Sequence, residues 1–402
     1  MKNIIVIAHK FYPFNGVGAN RWNHLSKHLA ECGFKVHILT VERGTVPFLH
    51  ENIKVHKVKA GWFYKLASLK FKNHLFTAIY QNILNYIKKI FWFDDEAQYW
   101  GKHLIKAIDR AVIAHNVKVV IATGHPFQAN RWAAEAKKKS SCKFKLIQDI
   151  RDPWALNPFK TYIFKWQKEK VATWQNQALS LSDANVYVTE ELKLLTAIND
   201  SKSFVIENGH SFFTDYIKRN SQDGKNIIHA GTLANGRDVI AEPFFIACKA
   251  NPEILRGHTV HFYGRVSMWL IRKYSELFVK KVFILHKPVP QDKLIHKYAM
   301  SAFALQFNAK EYPYLVSTKI YEHPAMGLST FSINCGGAID ALIKSHDIGI
   351  SCKPDVMDII SKLPLMFEAD NKVALKKYAD MSSYKVRAAE YTKLINKLSL
   401  DE

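Results

Sequence analysis

The 402-residue sequence contains no apolar run approaching the roughly 18 residues that a membrane-spanning helix needs. Its first hydrophobic stretch, Ile4 to Ala8, is five residues long and is broken by His9 and Lys10. That is too short for the core of a signal peptide and reads as a buried strand, so the chain is expected to stay in the cytoplasm. Cysteine is sparse: the five residues at 32, 142, 248, 335 and 352 are odd in number and scattered. This excludes a disulfide framework, a zinc knuckle and a redox pair, and reduced thiols are expected. Among the eighteen histidines neither an H-x-x-x-H nor an H-E-x-x-H pattern is read, and no protein-ligated metal is expected. Acids are also few, 35 against 57 basic residues, for a formal charge of +22. Such an imbalance implies an anionic partner: nucleic acid, a membrane surface or a phosphorylated substrate. Composition does not separate the three.

Hydrophobic residues make up 48% and aromatics 13%, including 9 Trp and 25 Phe. That is ample for two buried cores in a chain of this length. KNIIVIA reads as a strand, NGVGAN as a turn, Arg21 to Cys32 as a helix closed by Gly33, and FKVHILT as a second strand. IKVHKVK, VKVVIATG, FKLIQDI, ANVYVT and SFVIENG continue the alternation of strand and helix. After the polar break FTDYIKRNSQDGK the pattern restarts with KNIIHAGTL, HTVHFYGR, KVFILHKPV, AFALQF, STFSIN and IGISC. Strands alternating with helices predict an α/β fold with parallel sheets covered on both faces. Two doubly wound domains are expected, at about 1–210 and 222–370. The last helical segment, about 383–400, is expected to pack back on the first. In such folds ligands lie beyond the carboxyl ends of the strands, so two facing domains imply a cleft.

Several motifs fall at those strand ends. Gly16 and Gly18 lie between the first strand and helix, where exposed N–H groups favour an anion. The plainer reading is a tight turn that needs positive φ. In HAGTLANGRD, Gly231 and Thr232 end a strand, and Arg237 follows a turn-forming Asn-Gly. Arg237 can grip a diphosphate bidentately or pair locally with Asp238. In YLVSTKIYEHPAMG, Ser317 or Thr318 is expected to cap a helix, which puts Lys319 in its first turn. A cation there is unfavourable against the helix dipole unless an anion binds beside it. Glu322 stands outside the capping-box position and can accept two ribose hydroxyls. The alternative is a Lys319–Glu322 surface pair worth a few tenths of a kcal/mol. TGHPFQAN and DIRDPW follow first-domain strands and offer His125, and a charged cluster of Asp149, Arg151 and Asp152. His125 can serve a substrate or the structure, and Asp152 before Pro153 can simply begin a turn.

In this order, FYPFNGVGANRW, GFKVHILT, QDIRDPW, VIENGH, HAGTLANGRD, HFYGR, KPVPQDKL and STKIYEHPAMG before CGGAID, the motifs resemble those of glycosyltransferase family 4. The likeness is to bacterial members that build surface polysaccharides such as lipopolysaccharide. The resemblance implies a GT-B fold of two Rossmann-like domains, no essential metal or other cofactor, and transfer with retention from a nucleoside-diphosphate sugar. By position it implies that Arg237 and Lys319 contact the donor diphosphate and that Glu322 contacts the ribose. Gly16 and Gly18 would approach the donor, with Gly231 and Thr232 beside it. Gly264, Arg265 and Val289 would border the nucleobase. His125 and Asp152 would serve the acceptor side. The chain departs from the pattern at Thr232, where members often have Arg, and at Tyr314, where many have a first Glu; Glu311 is nearby. Two other classes fit the same sequence: a sugar-nucleotide 2-epimerase, and a non-catalytic basic membrane or nucleic-acid adaptor on a degenerate scaffold.

From Trp62 to Phe93 the chain holds ten aromatics and five lysines without one acid. On helices this mixture fits a surface lying against anionic lipid, with Trp62, Lys65, Lys70 and Lys72 as contacts. It also fits a helix pair with core aromatics and solvated lysines. A peripheral position on the inner face of the plasma membrane would suit a lipid-linked or glycan acceptor. No recognised nucleic-acid motif accompanies the lysines, and no nucleic-acid partner is expected.

Overall fold

The computed structural model describes residues 2–14, 16–61, 69, 74–91, 93–140, 143–212 and 226–400. The chain divides into two compact units, Met1–Glu207 with Tyr384–Glu402, and Asn208–Ser383.

In the first unit the described strands are β1 Lys2–Ile7, β2 Phe34–Val41, β3 Ile53–Val58, β4 Val119–Thr123, β5 Lys145–Ile150, β6 Ala184–Tyr187 and β7 Ser203–Val205. They form one parallel sheet in the order β3-β2-β1-β4-β5-β6-β7. Ile4 to Ile7 and Val119 to Ala122 are all buried, as central parallel strands covered on both faces must be. The covering helices are α1 Val17–Glu31, α2 His74–Phe91, α3 Gly101–His115, α4 Gln128–Lys139, α5 Lys165–Ser180 and α6 Glu190–Thr196. The order reverses between β1 and β4, which opens the sheet's switch point there.

The second unit has β8 Asn226–Ala230, β9 Thr259–Tyr263, β10 Phe283–His286, β11 Ser301–Phe307, β12 Thr330–Ile333 and β13 Gly349–Cys352. These strands are also parallel, in the order β10-β9-β8-β11-β12-β13, so the switch point lies between β8 and β11. Helices α7 Arg237–Ala250, α8 Met268–Lys273, α9 Ser275–Val279, α10 Gln291–Tyr298, α11 Lys319–Ala325, α12 Ala338–His346, α13 Val356–Lys362 and α14 Lys372–Met381 surround it. Phe244, Phe245, Phe262 and Phe283 pack edge to face and offset at the centre of its core.

The final helix, α15 Tyr384–Leu400, belongs to the first unit and buries Ala388, Tyr391, Leu394 and Ile395 in that core. A buried carboxylate fixes it there. Asp149, at the end of β5, accepts from Trp22 Nε1 at 2.7 Å, Tyr391 Oη at 2.7 Å, Thr123 Oγ1 at 2.8 Å and Arg21 Nε at 3.3 Å. Burial pushes the Asp149 carboxyl up, but Arg21, Arg151 and the hydrogen bonds outweigh it and hold it below the usual carboxylate range. Arg21 also donates to the carbonyls of Ile206 and Glu207, at 2.7 and 2.6 Å. One ion pair thus joins α1, β5, the chain after β7 and, through Tyr391, α15.

Candidate functional site

At the switch point of the second unit, Gly231 directly follows β8, and Gly264 directly follows the neighbouring β9. Gly264 has φ +142°, and a Cβ on it would lie 2.0 Å from the Gly231 carbonyl oxygen. Only glycine allows the two strand ends to approach so closely. Thr232 and Arg265 are exposed beside them, and Val289, after β10, is half-buried. Gly236 caps α7 in the left-handed region at φ +85°, so Arg237 is the first residue of a fourteen-residue helix.

Arg237 does not pair with Asp238, the simpler of its two sequence readings. Asp238 instead accepts from Ser267 Oγ at 2.5 Å and Trp269 Nε1 at 2.9 Å. Among the described residues Arg237 has no carboxylate partner. Lys319 lies in the same neighbourhood. Burial brings the His229 imidazole down to about 4; its bond to the Leu305 carbonyl opposes this, while the charges of Arg237 and Lys319 add to it. Lys319 begins α11, but neither Ser317 nor Thr318 caps that helix in the expected way. Thr318 is the N-cap without a side-chain bond, and Ser317 Oγ accepts from the Lys319 N–H at a long 3.4 Å. The Lys319–Glu322 pair forms, at 2.6 Å, yet it is not a surface pair: the side chains are 23% and 6% exposed.

Glu311 belongs to this group as well. Its Oε2 is buried without a hydrogen-bond partner and lies 2.8 Å from where any Cβ on residue 236 would be. Tyr314, by contrast, is a buried aromatic set edge to face against Tyr312. The family resemblance pointed to position 314, with Glu311 nearby; the loop brings residue 311 to the N-terminus of α7.

In the first unit, β1, β4 and β5 deliver His9–Lys10, Thr123–His125 and Arg151–Asp152 to one edge. The helix after β1 begins at Val17, earlier than the expected Arg21. Gly16 is its N-cap at φ −75° and Gly18 lies within it, so neither glycine serves a positive-φ turn. A Cβ on Gly18 would be 3.5 Å from Lys10 Cδ and 4.0 Å from the His125 carbonyl oxygen, which places the helix start against the β4 loop. Arg151 Nε donates to the Gly124 carbonyl at 2.6 Å and fixes that loop. The expected cluster of Asp149, Arg151 and Asp152 is therefore divided. Asp149 faces Arg21, Arg151 holds backbone, and half-buried Asp152 acts on His125 only through its charge.

Three consecutive acids outside every sequence expectation complete this edge. Asp94 accepts from Gln128 Nε2 at 2.6 Å and Trp154 Nε1 at 2.9 Å, and pairs with Lys160. Asp95 accepts from the Gln128 N–H at 3.0 Å, with its Oδ2 at 3.9 Å from His125 Nδ1. Burial, then the Asp94 and Glu96 charges, raise the Asp95 carboxyl well above the usual range. Glu96 pairs with Lys10 at 2.9 Å; burial raises its pKa, but Lys10 and His125 bring it down to about 2. The His125 side chain is 45% exposed, and burial of its ring lowers its pKa despite Glu96 and Asp152. A half-open imidazole whose pKa is lowered by burial can exchange a proton with a hydroxyl. The signal was present in FWFDDEAQYW: acids framed by aromatics in a basic chain.

Trp62, Lys65, Lys70 and Lys72 lie outside the described residues, as does the polar break at 213–225. Of the same acid-free stretch, α2 is described, and it exposes Phe76, Ile79, Ile83 and Tyr86. Those positions follow helical spacing along one face, so these side chains are not the core aromatics of a buried helix pair. Among the histidines, His24 and His28 do stand at H-x-x-x-H spacing on α1. They diverge: His24 stacks on Tyr384 and His28 pairs with Glu31 at 2.7 Å.

Chains of known structure share this architecture from end to end. Sucrose-phosphate synthase from Thermosynechococcus elongatus superposes with a TM-score of 0.68 at 10% identity, over 100% of both chains. Anabaena Alr3699/HepE, solved in complex with UDP, gives 0.63 at 11% identity over 99% of this chain and 100% of its own. WaaG, a glycosyltransferase involved in lipopolysaccharide biosynthesis, gives 0.60 at 11% identity over 98% and 99%. No protein-family model matches the chain, and no curated protein matches it. At these identities the likeness shows the fold: two Rossmann-like parallel-sheet domains of the GT-B type.

Proposed function

We propose that the chain is a glycosyltransferase that moves a sugar from a nucleoside-diphosphate sugar to an acceptor hydroxyl with retention of configuration. The observation that carries this reading is Arg237. It stands at the N-terminus of a long helix at the β8/β11 switch point, beside Lys319, without a carboxylate partner among the described residues. Two fixed cations and a helix N-terminus there favour a diphosphate. The UDP held by the Anabaena protein and the sugar chemistry named for the other two neighbours support the same reading.

On this reading Arg237 and Lys319 hold the diphosphate. A carboxylate has about four acceptor positions, so Glu322 can take ribose hydroxyls while bound to Lys319. Gly231 and Thr232 leave room for the phosphates, and Gly264, Arg265 and Val289 border the base. Glu311 offers a buried acceptor oxygen to a hydroxyl of the transferred sugar, which accounts for the missing carboxylate at Tyr314. The acceptor oxygen bonds to the anomeric carbon as the bond to the diphosphate breaks. The electron pair leaves with the phosphate, which takes up the hydroxyl proton on the same face. Arg237 and Lys319 stabilise the charge that develops on the leaving oxygen and so supply the role a divalent cation would otherwise play. In the first unit His125 and Asp152, with Asp95, position the acceptor.

The acceptor is a glycan or a lipid-linked sugar of surface polysaccharide synthesis, met at the inner face of the membrane. The exposed apolar face of α2, with Lys88 and Lys89 in its last turn, supports this location. Ile163, Phe164 and Trp166 extend the exposed apolar surface, because Gln167 ties the start of α5 to the Lys89 and Ile90 carbonyls at 2.9 and 3.0 Å.

A thermal-shift screen of nucleotide sugars tests the proposal. One donor class should raise the apparent stability, by about 2.7 kcal/mol at a hundredfold excess over Kd. Stabilisation by none of them would overturn it.

A further inference from the structure

Away from its own strand-end site, the first unit has a groove of about 570 Å³ between edge strand β3 and helix α3. From α3 it is lined by His103, Lys106, Ala107, Arg110, Ala111, Ala114 and His115. These recur at helical spacing, so one face of α3 alternates cations with alanines small enough to leave the groove open. β3 and the residues after it add His56, Lys57 and Lys59. Lys57 donates to the Gly44 carbonyl at 2.6 Å. No Asp or Glu lines the groove, and Lys59, Lys106 and Arg110 have no carboxylate partner among the described residues. The one acid of α3, Asp109, is taken by Ser140 Oγ at 2.6 Å.

At the inner end His37 joins His56 and His115, with ligand nitrogens all within 4.8 Å of one another. By distance alone the three could hold a metal ion. Two observations favour an anion in the groove instead. The His37 and His115 rings stack with centroids 4.0 Å apart and planes 16° apart, so their in-plane lone pairs lie in separate, nearly parallel planes and are poorly placed to meet at one ion. And the four fixed cations of the groove, uncompensated by any lining carboxylate, repel a dication and attract a phosphate.

We propose that this groove is a second anion site that takes a phosphate-bearing ligand, held by Lys106 and Arg110 from α3 and Lys59 just after β3. Its apolar floor of Leu39, Val58 and Ala111 accepts the uncharged part of the molecule. Either a free phosphorylated small molecule or the headgroup of a phospholipid carries this chemistry. The proposal does not depend on the glycosyltransferase reading, because none of its residues lies at either switch point.

Calorimetric titration of the full chain with inorganic pyrophosphate, at low salt, should show two classes of site. Lys106→Gln with Arg110→Gln changes two exposed positions and keeps good helix formers, so the urea midpoint should stay unchanged. The double variant should weaken one class by about tenfold or more, as expected when charge-assisted bonds are lost, and leave the other intact. Arg237→Ala with Lys319→Ala should do the reverse. If vesicles containing phosphatidate compete with pyrophosphate at the groove class, a lipid headgroup is the source; if they do not, the ligand is free. The proposal is overturned if the groove variant binds pyrophosphate like the wild type. It is also overturned if all binding vanishes in the Arg237/Lys319 variant. Zinc binding that is lost in His56→Ala and His115→Ala, without pyrophosphate binding in the groove, would replace it with a metal site.

Discussion

At the strand ends of the first unit, charge is answered by charge. Asp94 has Lys160, Glu96 has Lys10, Asp149 has Arg21, and Asp95 takes backbone N–H groups. At those of the second unit the balance is left open. Arg237 stands without a carboxylate partner among the described residues, while Glu311 Oε2 is buried without a donor. The same topology therefore presents two different surfaces. A self-neutralised edge suits an uncharged, hydroxyl-bearing molecule, whereas an edge with an unanswered cation suits an anion and gains most from its arrival.

The sharpest way to break this comparison is to remove a charge that is answered. Asp149→Ala should cost about 3–5 kcal/mol of stability, because it strands the buried Arg21 guanidinium. Urea unfolding gives the number, and a loss below about 1 kcal/mol would mean that the pair does not hold α15 in place. Next in size, His125→Ala should lower turnover about a hundredfold while changing nucleoside-diphosphate affinity less than twofold, as befits a group that positions the acceptor hydroxyl and belongs to a different unit from the diphosphate cations. The wild-type rate should fall on acidification only below the ordinary histidine value of 6.5, since burial lowers the His125 pKa and the neutral ring is the working form. A limb above 6.5, or a normal rate in the variant, would return His125 to a structural role. The smallest effect expected is at Glu322. Its replacement by Gln should weaken a ribonucleotide by about 1 kcal/mol and the 2′-deoxy analogue by less. Equal weakening would point to a purely electrostatic role through Lys319.

Much of the fold was legible because buried parallel strands announce themselves as apolar runs: KNIIVI and VVIAT are read without reference to anything distant. Gly33, at φ +89° just past α1, marked its helix end correctly. The start of that helix was misjudged because Gly16 caps it in an extended conformation that no side chain advertises. The placement of Lys319 and Glu322 in the first turn of a helix was legible after the Ser317–Thr318 cap signal. Asp94, Asp95 and Glu96 were passed over because they follow directly on the basic stretch that drew attention, and their burial depends on Gln128 and Trp154 from distant segments. The His37–His56 contact arises from sheet register across nineteen residues, and no local spacing encodes it.

The central claim is that Arg237 and Lys319 together receive a nucleoside diphosphate. Calorimetric titration of the wild type and the Arg237→Ala/Lys319→Ala variant with UDP and ADP tests it directly. The wild type should bind at least one of the two, and the variant should lose about 100-fold or more in affinity with an unchanged unfolding midpoint. Equal affinity in a folded variant would contradict the account.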